Sequence, residues 1–368
     1  LVTLHYLDAN ASEPLRPEAR AAMQAAFEVT GNPSSVHASG RAARRLLEDA
    51  RERIAGRFGA RAQDVVFTSG GTEADALAVH ALGSARRILS CATEHDAVRA
   101  AAPDAAVLPV DRNGLADMDA LRSWLRSGAP ALVCLMLANN ETGVIQPVTE
   151  AAALCRQAGA LLHVDAVQAA GRIPVDMTAL GCHSIALSAH KLGGPAGTGA
   201  LVLSPELSAV PPLIAGGGQE RGRRGGTPAL GAIAGFAAVC DLPSNQTRLG
   251  VLRDRAEAAA VHHGAVVCGG GAPRLANTTS LALPGVRADA QVIALDLDGI
   301  AVSAGAACSS GKVQTSHVLT AMGLGGLAGQ AIRVSLPWNV ADTAIDAFAG
   351  AYARMAARLR PDLVGTAA

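Results

Sequence analysis

Asp64–Leu82 reads DVVFTSGGTEADALAVHAL. Its first five residues form a short apolar run rich in β-branched and aromatic side chains, which predicts a buried strand. A glycine turn follows, and the rest has the composition and length of a helix. Strand, glycine turn and helix in immediate succession are the repeating unit of an α/β protein. The same alternation continues down the chain. The runs RRILSC, AAVLPV, ALVCLML, ALLHVD, SIALS and GALVLS read as further strands, separated by helical stretches such as MDALRSWLRS and PVTEAAALCRQAG. Two more helical patterns, RPEARAAMQAAFEV and GRAARRLLEDARERIAGRF, precede Asp64. The expectation is an α/β fold with a mostly parallel sheet covered by helices on both faces. After about residue 245 the texture changes to a smaller α+β domain, from the helix RLGVLRDRAEAAAVHH to the terminal helix VADTAIDAFAGAYARMAARLR.

Composition limits what the molecule does. Half of the 368 residues are hydrophobic but only 2% are aromatic, so a sizeable core is built from Ala, Val, Leu and Ile. The formal net charge is zero, and the densest basic spot, ERGRRGG at Glu220–Gly226, is short. A broad basic face for nucleic acid or a membrane surface is therefore not expected. No apolar run reaches membrane-spanning length, and LVTLHYLDANAS lacks the basic and apolar regions of a secretory signal. The expected location is cytoplasmic. Seven scattered cysteines do not make a disulfide framework, and no pair has zinc-ligand spacing, so no metal is expected. Most of them sit in apolar strings and read as small buried hydrophobes.

The chain holds 31 lysines and arginines together, yet only Lys191 and Lys312 are lysine. Lys191 ends an apolar strand beside the glycine turn of SAHKLGGPAGTG. It is either a surface charge or a group doing what arginine cannot. Lysine forms a Schiff base and arginine does not, which points to pyridoxal 5'-phosphate (PLP) or another carbonyl partner. Such a site needs a carboxylate against the pyridine nitrogen. Asp165, at the end of LLHVD, stands where open α/β sheets place ligand groups, with a helix N-cap after the strand as the alternative. Gln168 is within reach of the same ring. Gly71 and Thr72 open a helix whose N-terminus suits a phosphate, with Ser188 and His190 as further donors. His95, in ATEHDAV, is either a loop histidine or a ring-stacking one. Cys308 lies in SAGAACSSGKVQTSH, a run of small residues that suits an exposed loop. Lys312 and His317 nearby would favour its thiolate, and a buried turn residue is the alternative.

Taken together, these residues resemble the cysteine desulfurases of the class V aminotransferase group (NifS/IscS-type). The matching strings are GNPSSVHASGR, FTSGGTEAD, ATEHDAV, NNETGVIQP, HVDAVQAAG, SAHKLGGPAGTGAL, GGGQERGRRGGT and SAGAACSSG, in the family's order, from YLDANAS to IRVSL. The resemblance implies the PLP-dependent transferase fold type I. Its large PLP-binding domain, with a mostly parallel seven-stranded sheet, would span 15–245. A small domain from 1–14 and 246–368 would carry the catalytic cysteine loop.

The resemblance also implies site roles. Lys191 holds PLP as a Schiff base, Asp165 pairs with the pyridine nitrogen, and Gln168 meets the phenolic oxygen. His95 stacks on the ring and takes part in proton transfer. Gly71, Thr72, Ser188 and His190 hold the phosphate, and Thr227 reaches the phosphate of the neighbouring subunit's PLP, so a homodimer is implied. Asn140 and Arg333 bind the substrate carboxylate, and Asn140 also belongs to the cofactor pocket. Cys308 takes sulfur from L-cysteine, leaving alanine and an enzyme persulfide. An acceptor such as an iron–sulfur scaffold, or a thio-modification pathway, then receives the sulfur. A selenocysteine lyase or another class V enzyme is the alternative. The chain departs from the pattern at Gly71, where alanine is frequent, at Asp75, where asparagine is common, and at SLPWN, where Ser-Leu-Gly is usual.

Overall fold

The computed structural model describes residues 3–207, 210–305 and 315–360. In chain order, β1 (His5–Tyr6), α1 (Pro17–Phe27) and α2 (Ala38–Arg57) lead into β2 (Val65–Thr68) and α3 (Gly71–Gly83). Strands and helices then alternate through β3 (Arg87–Cys91), α4 (Asp96–Ala101), β4 (Ala106–Leu108), α5 (Met118–Leu125), β5 (Ala131–Cys134), α6 (Val148–Gln157), β6 (Leu161–Asp165), α7 (Met177–Leu180), β7 (Ser184–Ser188) and β8 (Gly199–Leu203). The remainder is α8 (Leu230–Val239), α9 (Gln246–His262), β9 (Val266–Cys268), β10 (Thr278–Ala282), α10 (Ala288–Leu297), β11 (Ile300–Ala301), β12 (Ser303–Ala304), α11 (His317–Ala321), β13 (Ala331–Ser335) and α12 (Asp342–Leu359).

The seven strands expected from the apolar runs form one sheet in the order β2-β8-β7-β6-β5-β3-β4. Only β8 runs against its neighbours, β2 and β7; the other pairings are parallel. Every residue of β2, β5, β7 and β8 is buried. Helices cover both faces of the sheet, and this is why these strands read as continuous apolar runs rather than alternating ones.

Because β8 is antiparallel, its first residue faces the C-terminal ends of two strands at once. Gly199 pairs with Thr68 of β2 and with Ser188 of β7. A Cβ there would sit 2.4 Å from the Leu187 carbonyl oxygen and 2.7 Å from the Gly70 carbonyl carbon. Glycine is thus the residue that lets the glycine turn and the lysine-bearing strand end converge.

The second sheet has the order β12-β13-β10-β9 and is antiparallel throughout. Its core joins Ile332, Val334, Phe348 and Tyr352 to Leu7 from the N-terminal segment. That segment reaches it because β1 pairs in parallel with β11. The six described cysteines are all buried and free, and no described helix is long and apolar enough to cross a membrane.

Two features differ from the sequence reading. Helix α8, LGAIAGFAAV, is absent from the elements expected above. It is apolar all round and lacks the one-faced periodicity that signals a surface helix. Its glycines allow close packing: a Cβ on Gly231 would meet the Phe27 ring at 2.4 Å, and one on Gly235 would meet Met23 at 2.8 Å. Strand β7 also ends before Lys191. It stops at Ser188, and Ala189–Lys191 form a single 3-10 turn. That turn swings Lys191 back over the end of the sheet.

Candidate active site

A cavity of about 230 Å³ lies at the C-terminal ends of β2, β6 and β7, lined by Gly71, Thr72, Asp165, Gln168, His190 and Lys191 among others. Open α/β sheets bind ligands at this edge. Nine residues singled out in the sequence therefore meet in one place, since His95, Asn140 and Ser188 also line it.

One end of the cavity suits a phosphate. Helix α3 begins at Gly71, so its first N–H groups and positive dipole end face the opening. A Cβ on Gly71 would come within 2.6 Å of Val167 Cγ2, so the backbone approaches closely only because glycine is there. His190 stands beside Ser12, with Nδ1 3.3 Å from the Ser12 hydroxyl. Burial, reinforced by the Lys191 charge, pushes His190 down to about 4. It is a neutral donor at physiological pH.

The other end carries the ionisable groups. Burial pushes Lys191 down to about 7, aided by the charges of Arg333 and Arg172 and opposed by Asp165 and Asp8. Its Nζ donates to the carbonyl oxygens of Asn10 (2.5 Å) and Ala11 (2.9 Å). Asp165 accepts the Val167 N–H at 2.8 Å. Its carboxyl is raised by burial, while His95, that N–H and Lys191 hold it down in part. His95 caps α4, with Nδ1 accepting the Ala97 N–H at 3.1 Å. That bond leaves Nε2 as the nitrogen free to carry a proton. Gln168 is gripped at both ends: Nε2 donates to the Asn10 carbonyl, and Oε1 accepts from Arg172.

Arg333, on β13, stands behind Asn140. Its Nη1 donates to the Asn140 carbonyl (3.1 Å) and its Nη2 to Asp8 (2.6 Å). Its buried Nε has no partner among the described residues, which leaves donor capacity for a carboxylate. Thr227 is exposed and does not line this cavity. Cys308 and Lys312 lie outside the described residues.

The sequence reading assigned nothing to Asn10, Arg172 and Asp75. Asn10 accepts from both Lys191 and Gln168 through its backbone, and Arg172 reaches Gln168 and the Asn10 side chain. The spacing of four between Gln168 and Arg172 was a legible signal for that pair. Asn10 offered none, because a carbonyl contact leaves no trace in residue type. Asp75 stood out only as a departure from the family pattern.

Known proteins resemble this chain along most of its length. Residues 5–348 match the family model for aminotransferase class-V. The IscS-like cysteine desulfurase of Mycobacterium tuberculosis (strain ATCC 25618 / H37Rv) is 40% identical over 95% of this chain and 96% of its own. The cysteine desulfurase of Cereibacter sphaeroides is 42% identical over 91% of this chain and 92% of its own. Among solved structures, the NifS-like protein from Rickettsia africae ESF-5 superposes with a TM-score of 0.88 at 34% identity, covering 96% of this chain and 99% of that one. The match extends from the first strand to the last helix, and the chain belongs to the class-V aminotransferase family.

Proposed function

We propose that this chain is a PLP-dependent cysteine desulfurase that converts L-cysteine to L-alanine and holds the released sulfur as a persulfide on Cys308. One observation carries most weight: Lys191, a lysine with an amine held near neutrality, shares a small cavity with a buried carboxylate and a helix N-terminus. Few ligands need all three, and a phosphorylated pyridine aldehyde does. Lys191 would hold it covalently. Asp165 would keep a proton on its ring nitrogen, and Gly71, Thr72, Ser188 and His190 would take its phosphate. When bound, PLP supplies an electron sink for negative charge developing at the substrate Cα.

The remaining work falls to side chains of this protein. Asn140 and the fork of Arg333 orient the substrate carboxylate. The free amine of Lys191, neutral above about pH 7, takes the proton from Cα. His95, through Nε2, and Gln168 steady the ring. The Cys308 thiolate attacks the substrate sulfur. The new S–S bond forms as the substrate C–S bond breaks, its electron pair stays on Cβ, and a proton there completes alanine. The overall balance is L-cysteine plus a thiol giving L-alanine plus a persulfide. Thr227, exposed on its own subunit, would complete the partner's phosphate site in a homodimer. The persulfide sulfur then passes to an acceptor protein such as an iron–sulfur scaffold, in the cytoplasm.

Mass spectrometry after incubation with L-cysteine tests the reading. The Cys308 peptide gains the mass of one sulfur, and Cys308→Ala keeps the PLP colour but makes no alanine. Undiminished turnover in that variant would reject the desulfurase in favour of a lyase that does not use the thiol.

Arg333→Gln tests the carboxylate site. Loss of charge-assisted hydrogen bonds worth about 1.5–3 kcal/mol raises KM for L-cysteine roughly 10- to 150-fold, with a smaller change in kcat. An unchanged KM in steady-state assays would place the carboxylate elsewhere.

A further inference from the structure

A second carboxyl lines the cavity beside Asp165. Asp75, one turn into α3, is 1% exposed and faces the same space. Its Oδ1 lies 3.1 Å from His163 Nε2, and His163 Nδ1 lies 2.8 Å from the Ser184 hydroxyl. His163 is two residues before Asp165 on β6, so both side chains project from the same face of the sheet toward α3. Two buried carboxyls thus line one small cavity, with a buried imidazole against one of them.

They cannot all be charged. Two buried carboxylates facing a common space oppose each other's ionisation. His163 is fully buried, and burial pushes it down to about 3, so it brings no compensating positive charge. The groups that face Asp75 are Asp165 and His163 from β6, Glu94 from the turn after β3, and the Cys134 thiol from β5. None of them is a cation. His95 and Lys191 lie against Asp165 instead and hold its carboxyl down in part. Burial pushes the Asp75 carboxyl well up, and the Asp165 and Glu94 charges push it further.

We propose that Asp75 is a positioning residue held in its protonated form, donating to His163 Nε2, so that Asp165 is the single anion presented to the ring nitrogen. The hydrogen-bond direction follows. The Asp75 O–H donates to Nε2, and the Nδ1–H of His163 donates to the Ser184 hydroxyl. If Asp75 were ionised, the tautomer would reverse: Nε2 would carry the proton and Nδ1 would accept from Ser184. The chain therefore holds a neutral carboxyl against the cofactor wall without adding charge there. The inference rests on the PLP reading of the cavity.

Three measurements on the holoenzyme test it. Infrared difference spectra between wild type and Asp75→Asn show a protonated carboxyl C=O band present in wild type at neutral pH and lost in the variant; a carboxylate band lost in its place overturns the proposal. ¹⁵N-histidine NMR of wild type, with His163 assigned through His163→Gln, finds the proton on Nδ1. A proton on Nε2 overturns it, and this readout survives even if Asp75→Asn fails to fold. The pH midpoint of the visible cofactor band moves by less than about 0.3 unit in Asp75→Asn, because a neutral group replaces a neutral group. Removing a buried anion would lower that midpoint by about 1 unit or more, and a shift of that size counts against the proposal. A protein that takes up no PLP would show no visible band at all, so failure of the PLP reading is told apart from failure of this one.

Discussion

Lys191→Arg loses the visible absorbance of bound PLP and about 10³-fold or more of the alanine-forming activity. The substitution keeps a cation of similar reach, so a purely electrostatic role would survive it. It removes two things. A guanidinium forms no Schiff base with the aldehyde, and it cannot be deprotonated to serve as a base at Cα. The pH dependence is a sharper form of the same expectation. Lys191 is protonated below about 7 and neutral above it. The rate at which apoenzyme captures PLP therefore rises about tenfold per pH unit below that point and levels off above it. A solvated lysine would keep gaining reactivity to about pH 10. Stopped-flow absorbance across pH reads this directly, and a rate still climbing at pH 9 would show that burial does not govern the amine.

The second large effect is on stability. Glu220→Ala lowers stability by about 3–5 kcal/mol, seen as a fall in the denaturation midpoint of the holoenzyme. Glu220 accepts both terminal nitrogens of Arg51, at 2.6 and 2.8 Å, and the Phe67 N–H at 2.8 Å. Both side chains are almost fully buried, at 5% and 4% exposure. Truncating the acid takes the partner from both terminal nitrogens of a buried guanidinium and from a strand N–H, leaving Arg51 paired only through Nε with the half-exposed Glu48 at 3.1 Å. Arg51 also donates to the Val65 carbonyl and lies 4.7 Å over the Phe67 ring, so it cannot swing out cheaply. The double variant Arg51→Met with Glu220→Leu recovers much of the loss, because no buried charge is then left unpaired and Glu48, the other partner of Arg51, is half-exposed to solvent. A single-variant loss under about 1 kcal/mol would mean that water reaches the pair. The pair also anchors the loop that carries Thr227. Glu220 and Arg221 adopt left-handed backbone angles, φ 48° and 58°, that non-glycine residues rarely hold. The buried ion pair is what over-determines that conformation.

Much of the site was legible because its parts are local. Gly71 and Thr72 follow a strand and open a helix, and Asp165 and Ser188 end strands. A strand end in an α/β sheet is a defined place, so naming the strand placed the residue. Lys191 was legible through composition, as one of two lysines in a chain otherwise supplied with arginine. Helix α8 was not legible, since burial on all sides erases amphipathic period. Nor was Asn10, whose contacts join Lys191 and Gln168 to an N-terminal segment more than 150 residues away in sequence.

The order of residues was enough to establish an α/β sheet, the strand ends that line the cavity, and the family, because each rests on patterns a few residues long. Three things required the folded chain. The reversal of β8 brings Thr68 and Ser188 to the same glycine beside the cavity. The amine of Lys191 falls to about 7 because burial and two arginines from distant segments surround it. The placement of Asp75 beside Asp165 sets which carboxyl bears the charge. Each depends on desolvation and on fields from residues far apart along the chain, and those quantities exist only once the layers have packed.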